Sequence, residues 1–185
     1  MPSDLRDQLR AAFRWTDPGP DSGYLVSDRS GWWRDPTILD GLGPALAGLF
    51  PGSAPTVVIA PEITGFLVGP LVARAAGAGF VEAYREGVRL PIAEPMTWAD
   101  VPSDHRGARQ RLGLRTRLLG PADRVLVVDD WVATGAQARA VHALAAACGA
   151  AVIGTAVIVE ECDPATAAEL NLRGLLTGAE LDAPV

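Results

Sequence analysis

Two adjacent carboxylates followed by a turn of small residues form the part of the sequence with the clearest chemistry. Residues 125–128 are apolar, Asp129 and Asp130 follow them, and the turn consists of Ala133, Thr134, Gly135, Ala136 and Gln137. Backbone amides at the start of a helix, together with a threonine hydroxyl, can bind a phosphate. Two carboxylates would repel that phosphate, but they accept hydrogen bonds from the hydroxyls of a diol. The sequence therefore predicts a sugar-phosphate site, with the ribose on the aspartates and the 5′-phosphate on the turn.

The absence of lysine excludes several other kinds of active site. All 16 basic residues are arginine. A P-loop needs a lysine, as do Schiff-base enzymes, pyridoxal phosphate enzymes and the receiver domains of phosphorelays. The sequence has no G-x-G-x-x-G motif, which argues against a dinucleotide-binding fold. One alternative stays open, in which the two aspartates only cap a turn.

Composition indicates the broad class of protein. A net charge of −6 argues against a general binder of nucleic acids or membrane surfaces, because both need a positive face. We expect no membrane partner, since no apolar stretch approaches spanning length and the first residues are polar, unlike a signal peptide. Cys148 and Cys162 are too few for a disulfide scaffold. His142 lies among alanines and is interpreted as a surface or hydrogen-bonded side chain. We expect a cytoplasmic protein.

The elements that must position the acid pair alternate between strand and helix. Apolar runs at 56–60, 80–84, 124–129 and 151–159 are interleaved with helical patterns over 65–78 and 135–148. Strands that are apolar on both faces and alternate with helices indicate a doubly wound α/β fold with a parallel sheet. Residues 1–185 are predicted to form one domain. Two further helices are predicted before the first of these strands, over 4–14 and from Asp35, as N-cap, to about residue 50.

An irregular segment over 92–117 separates two of the predicted strands. It has little helical periodicity, and it contains His105 and the arginines Arg106, Arg109, Arg111, Arg115 and Arg117. No acid follows Asp104 until Asp123, so the arginines form a local basic cluster. Two interpretations stay open. The segment is either a solvated loop running into an amphipathic strand, or a mobile arginine lid that closes over an anionic substrate.

At this point the sequence resembles the type I phosphoribosyltransferases, and most closely their adenine phosphoribosyltransferase branch. Residues 125–137 resemble the family's signature for phosphoribosyl pyrophosphate. Three further segments follow the order of the family. Residues 33–39 are similar to a segment of the purine-binding hood, 65–70 to the segment after the pyrophosphate loop, and 84–91 to the family's Arg-Lys-Pro-Gly-Lys-Leu-Pro stretch. The resemblance implies helices and a small hood over 1–50 and an α/β core over 51–185 with a lid over about 92–117.

The resemblance also implies the reaction and the roles of the site residues. The family moves ribose 5-phosphate from phosphoribosyl pyrophosphate to a heterocyclic, purine-like base, with Mg²⁺ held mainly through substrate and water and no direct protein ligand. Asp129 and Asp130 would hold the ribose hydroxyls, Arg85 would contact the pyrophosphate and take part in catalysis, and residues 133–137 would bind the 5′-phosphate. The remaining implied contacts come from Glu62, Ile63, Thr64, Arg106, Arg109 and Trp131. A homodimer active in purine salvage is also implied.

Several positions depart from the family pattern. Ala136 and Gln137 replace a glycine and a threonine of the signature, Thr64 replaces an arginine, and Glu86 reverses the charge of a lysine. No counterpart of the branch's Glu-Tyr-Gly triplet lies in 100–115. Two alternatives to a purine transferase therefore stay open. One is a non-catalytic regulator that binds phosphoribosyl pyrophosphate or a nucleotide, and the other is a related transferase with a different acceptor. Trp131, in turn, is predicted either to stack on the base or to pack against the hood.

Overall fold

A seven-stranded sheet forms the centre of the computed structural model, which describes residues 3–19, 22–87, 93–102 and 110–181. The order of its strands is β5-β6-β4-β3-β7-β8-β9, in which β3, β4, β7, β8 and β9 are parallel and β5 and β6 are antiparallel. A separate ribbon pairs β1 with β2. The strand bounds are β1 Arg14–Thr16, β2 Val26–Asp28, β3 Val57–Pro61, β4 Gly79–Arg85, β5 Met96–Val101, β6 Gln110–Arg115, β7 Arg124–Val132, β8 Ala151–Glu160 and β9 Leu172–Thr177.

Helices cover both faces of this sheet. Their bounds are α1 Ser3–Ala12, α2 Ser30–Arg34, α3 Pro36–Ala47, α4 Gly65–Ala76, α5 Ala136–Ala147 and α6 Pro164–Glu169. The predicted N-cap is confirmed, because the Asp35 carboxylate accepts a hydrogen bond from Thr37 N at 2.8 Å and Pro36 opens α3. Asp163 caps α6 in the same way.

Two apolar cores, one on each face, show why the strands are apolar throughout. On one face, Val58, Leu126 and Val128 pack with side chains of α1, α3 and α4. On the other, Ile59 and Val127 pack with α5. Successive side chains of a strand point to opposite faces, so a strand covered on both sides must be apolar at every position. The predicted doubly wound α/β class is confirmed.

The part of the chain before β3, called the hood below, contains elements that the sequence did not predict. Beyond α1, it holds the three-residue strands β1 and β2 and the five-residue helix α2. Elements this short carry too few residues for a recognisable period. Trp32 anchors α2, because its side chain is fully buried and its Nε1 donates to the Leu9 carbonyl at 2.8 Å.

The prediction that 92–117 is irregular is wrong for the part of the segment that the structure describes, whereas its proposed role as a lid stays a prediction. β5 and β6 form an antiparallel hairpin there, and β6 pairs with β4, so both strands extend the main sheet. Trp98 lies opposite Gly113, where an added Cβ would come within 2.3 Å of the indole. Arg106 and Arg109 fall in 103–109, outside the described residues.

Acids that precede these arginines in the chain pair with the described arginines of this segment. Arg111 lies 3.1 Å from Glu86, and Glu94 lies 2.8 Å from Arg115 and 2.6 Å from Arg117. The expected cluster of free positive charge is therefore largely neutralised at these three arginines. The sequence did not show this, because Glu86 and Glu94 precede the arginines by more than 20 residues.

Among the described residues, no helix is both long enough and apolar enough to cross a membrane.

His142 generates a prediction about stability against pH. Burial lowers its pKa from the ordinary value of 6.5, and the ring Nε2 lies 2.9 Å from Thr155 Oγ1. Just below that pH the unfolded chain binds a proton that the folded chain does not. We therefore expect the free energy of unfolding to be at its full value above about pH 7 and to fall as the pH drops through about 6.5. Urea unfolding between pH 8 and pH 5.5 should show a smaller loss of unfolding free energy for His142→Gln than for the unchanged protein. Equal losses in the two proteins would contradict a partly buried, uncharged His142.

Candidate active site at the carboxyl edge of the sheet

Three neighbouring parallel strands bring the predicted site segments to one edge. β3 lies between β4 and β7, with Pro61 opposite Ala83 and Ile59 opposite Val127. The segments that follow these strands, 62–64, 86–87 and 133–135, therefore leave the sheet side by side. Ligands of open α/β sheets bind beyond this carboxyl edge.

The acid pair is buried at the end of β7. Asp129 is 7% exposed and Asp130 is 3% exposed. Asp129 Oδ1 accepts a hydrogen bond from Asp130 N at 2.9 Å, and Asp130 Oδ2 lies 2.5 Å from Arg29 of the hood. Burial, and then the charge of Asp130, raise the pKa of Asp129 well above its ordinary value. The pair is held in place for hydrogen bonding and is not a pair of solvated turn caps.

A cavity of about 270 Å³ joins Asp129 to the predicted phosphate turn. It is lined by Asp129, Trp131, residues 132–138, and Val101, Pro102 and Gln110 of the β5–β6 hairpin. All five predicted turn residues, 133–137, thus lie in one cavity with one of the two acids. The sequence did not predict these three hairpin residues individually, although a lid segment was predicted over this part of the chain.

The turn has the backbone of a helix start. Gly135 has φ +74°, a conformation that glycine adopts without strain, and α5 begins at the next residue. Thr134 Oγ1 accepts a hydrogen bond from Ala136 N at 3.3 Å. Gln137 stands where the family signature has a threonine, and its buried Oε1 has no hydrogen-bond partner among the described residues.

Arg139 fixes the turn against α6. Its guanidinium donates to the Thr134 carbonyl at 2.9 Å, to Thr166 Oγ1 at 2.9 Å and to Glu169 at 2.8 Å. The contact is close, since an added Cβ on Gly135 would lie 2.6 Å from Thr166 Cγ2. Sequence reasoning missed Arg139, although a cation on the first turn of α5 was a usable signal.

The predicted pyrophosphate segment lies beside this cavity and does not line it. Glu62 Oε2 accepts a hydrogen bond from Arg85 N at 2.9 Å, so Glu62 and Arg85 lie next to each other. The Glu62–Ile63 peptide is cis, Ile63 is 68% exposed, and Thr64 directly precedes α4. An added Cβ on Gly65 would lie 3.4 Å from Asp129 Oδ1, which brings the end of this segment against the acid pair.

Trp131 packs against the hood. Its ring centroid lies 5.9 Å from that of Phe13 and 6.3 Å from that of Trp15, and Nε1 donates to Glu161 Oε2 at 2.7 Å. Of the two interpretations left open for this side chain, the structure shows hood packing. Trp131 also lines the cavity, so one side of it remains available to a ligand.

Similarity to known proteins agrees with this geometry. No family model matches the chain. An adenine phosphoribosyltransferase of Synechococcus sp. is 35% identical over 164 residues, which are 86% of this chain and 88% of that protein. One of Streptomyces coelicolor is 33% identical over 159 residues, 86% of this chain and 85% of that protein. The chain belongs to the adenine phosphoribosyltransferase family.

Solved structures of adenine phosphoribosyltransferases share the fold. The enzyme of Rhodothermus marinus aligns with a TM-score of 0.78 and 23% identity, covering 94% of this chain and 98% of that one. The enzyme of Trypanosoma brucei, solved with AMP, pyrophosphate and ribose-5-phosphate, aligns with a TM-score of 0.80 and 19% identity, covering 98% and 83%.

Arg139 generates a prediction about the turn. Arg139→Ala removes charged hydrogen bonds to a carbonyl and a hydroxyl at a partly exposed site, so we expect a loss of about 1–2 kcal/mol in the free energy of unfolding. We also expect faster hydrogen exchange of the amides of 133–137. Arg117→Ala is the matched control, because it removes only an exposed pair with Glu94. Unchanged exchange of the turn in Arg139→Ala would show that Arg139 does not hold it.

Proposed function

We propose that this protein transfers ribose 5-phosphate from phosphoribosyl pyrophosphate to a ring nitrogen of a purine-like base and releases pyrophosphate. The proposal rests on one observation above all. Asp129 of a buried acid pair and a small-residue helix start line a single cavity, in a chain that is 35% identical to an adenine phosphoribosyltransferase over most of both sequences.

The acid pair acts on the ribose. Its carboxylates accept hydrogen bonds from the 2′- and 3′-hydroxyls of the donor and orient the ring. As the bond to pyrophosphate breaks, positive charge develops on the ribose in an oxocarbenium-like transition state. Fixed negative charge in a site shielded from water stabilises that developing charge more than water would.

The turn anchors the other end of the sugar. The amides of 133–137 and the Thr134 hydroxyl bind the 5′-phosphate at the N-terminus of α5, where the helix dipole favours an anion. Gln137 offers an amide side chain in place of the threonine hydroxyl. Because the phosphate and the diol are both bound at one cavity, the C1 carbon is positioned between them for attack by the base.

Pyrophosphate is met by the segments after β3 and β4. Arg85 and residues 62–64 supply the side chain and backbone groups there. Glu86 places a negative charge near this position, but Arg111 lies 3.1 Å from its carboxylate and offsets that charge. Glu86 therefore repels an anionic ligand less than the sequence alone suggested.

Magnesium fits the chemistry of this edge as an ion carried by the substrate. Mg²⁺ prefers oxygen ligands, retains several waters, and is commonly held by one or two carboxylates together with substrate phosphates. The described residues form no group of three or more metal-binding side chains, whereas Asp129 and Asp130 provide carboxylates next to the cavity. We propose that these acids hold the ion mainly through water. When bound, Mg²⁺ neutralises the leaving pyrophosphate.

Assembly and location are further proposals from the family. We propose a cytoplasmic homodimer that takes part in purine salvage. Ile63, 68% exposed, and Leu67, 47% exposed, support a second copy as a partner, because they place apolar surface next to the pyrophosphate segment.

The function is tested by pyrophosphate release from phosphoribosyl pyrophosphate with adenine, hypoxanthine, guanine and non-purine heterocycles. We expect turnover with a purine. The combined variant Asp129→Asn, Asp130→Asn should bind the donor at least about 100-fold more weakly by calorimetry, because two charged hydrogen-bond acceptors are lost. Donor binding without turnover on any base would favour the regulator, and turnover with non-purines alone would favour the transferase with another acceptor. Intact donor binding in the variant would show that the site is assigned wrongly.

The predicted role of Arg106 and Arg109 has its own test. If they close over the donor, changing both to alanine should raise the donor KM roughly tenfold and increase hydrolysis of the donor relative to transfer, since water is less well excluded. Arg117→Ala again serves as a control for the loss of a surface arginine. Unchanged KM and an unchanged ratio of hydrolysis to transfer would remove both residues from the site.

A further inference from the structure

One ion pair joins the hood to the acid pair. Arg29 lies between β2 and α2, 101 residues before Asp130, and its Nη1 lies 2.5 Å from Asp130 Oδ2. The side chain of Asp130 is 5% exposed and that of Arg29 is 27% exposed. Within the described ranges, Arg29 is the one cation that comes within 4.0 Å of either aspartate. Arg29 lies outside the signature at 125–137 and outside the other three segments that resemble the family.

The backbone around Arg29 is held, so its guanidinium has a defined position. Its carbonyl accepts a hydrogen bond from Trp32 N at 3.0 Å, and Trp32 is in turn anchored to α1 through Leu9. Asp28 Oδ1 accepts from Ser30 N at 2.9 Å and fixes the start of α2. Arg29 therefore approaches Asp130 from a packed part of the hood.

We infer that Arg29 is a positioning residue for the donor, which holds one oxygen of Asp130 so that the carboxylate presents its other oxygen to a ribose hydroxyl. The inference rests on the proposed donor site. A carboxylate has about four acceptor positions on two oxygens, so an arginine and a hydroxyl can share it. A carboxylate this deeply buried that loses its cation is left as an uncompensated charge, which is strongly unfavourable. Arg29 thus compensates and orients the Asp130 carboxylate, and it links the hood to the donor site.

The test compares Arg29→Gln, Arg29→Lys, Asp130→Asn and the double variant Arg29→Gln, Asp130→Asn. Donor affinity is measured by calorimetry, and kcat and both KM values are measured with the preferred base. We expect Arg29→Gln to weaken donor binding roughly tenfold or more, with less than about a twofold change in the base KM at saturating donor. Arg29→Lys keeps the charge and should recover part of the loss. In the Asp130→Asn background, Arg29→Gln should have no further effect, because its partner is already neutral.

Arg14→Gln is the matched control. Arg14 is another arginine of the hood, and in the described part of the chain its guanidinium donates to the backbone carbonyls of Ala11 and Phe13 and to no other group. It reports the effect of loosening the hood without touching the acid pair, and we expect unchanged donor affinity. An equal loss in Arg14→Gln, or a base KM that rises as much as the donor KM, would show a merely structural role for Arg29 and overturn the inference.

The remaining outcomes separate this inference from the proposed function. If Asp130→Asn weakens donor binding while Arg29→Gln does not, or if the two effects simply multiply, the inference alone is overturned. If Asp130→Asn binds the donor normally, the donor site itself is assigned wrongly and the inference falls with it. Should Arg29→Gln fail to fold, Arg29→Lys decides, since full donor affinity without the guanidinium fork would also overturn the positioning role.

Discussion

The burial of two adjacent carboxylates at the end of β7 is the constraint on which the site depends. Each buried carboxylate is costly unless a cation or hydrogen-bond donors compensate it. β7 lies between β3 and β8 and is covered on both faces, so the strand cannot shift to expose its acids. The compensation must therefore come from the surroundings. Arg29 supplies a cation to Asp130, while Asp129 receives a backbone hydrogen bond and has a raised pKa.

Arginines hold the site together from two sides. Arg29 connects the acid pair to the hood, and Arg139 connects the phosphate turn to α6. The chain has no lysine, and the planar guanidinium offers several donors in fixed directions, so one side chain can tie a carbonyl, a hydroxyl and a carboxylate together. Much of the positive charge near the site is thus engaged in holding protein groups. The diphosphate of the proposed donor is therefore left to backbone amides and to the cations that are not so engaged.

The departures from the family signature become easier to understand in the folded chain. Glu86 is paired with Arg111, so its reversed charge is offset. Gln137 lines the cavity at the position where the signature has a threonine. The segment predicted to be irregular builds two strands onto the sheet edge and places Val101, Pro102 and Gln110 in the cavity wall.

The sequence by itself determined the parallel α/β core, the Asp35 cap of α3, and the joining of Asp129 to the turn at 133–137. These features follow from local periodicity and from residues that are neighbours along the chain. Only the tertiary structure decided the pairing of β5 with β6, the position of Trp131 against Phe13, and the Arg29–Asp130 ion pair. Each of these joins side chains or strands that are distant in sequence. Their contact depends on strand register and on the direction in which each side chain leaves the backbone, and no local pattern encodes either.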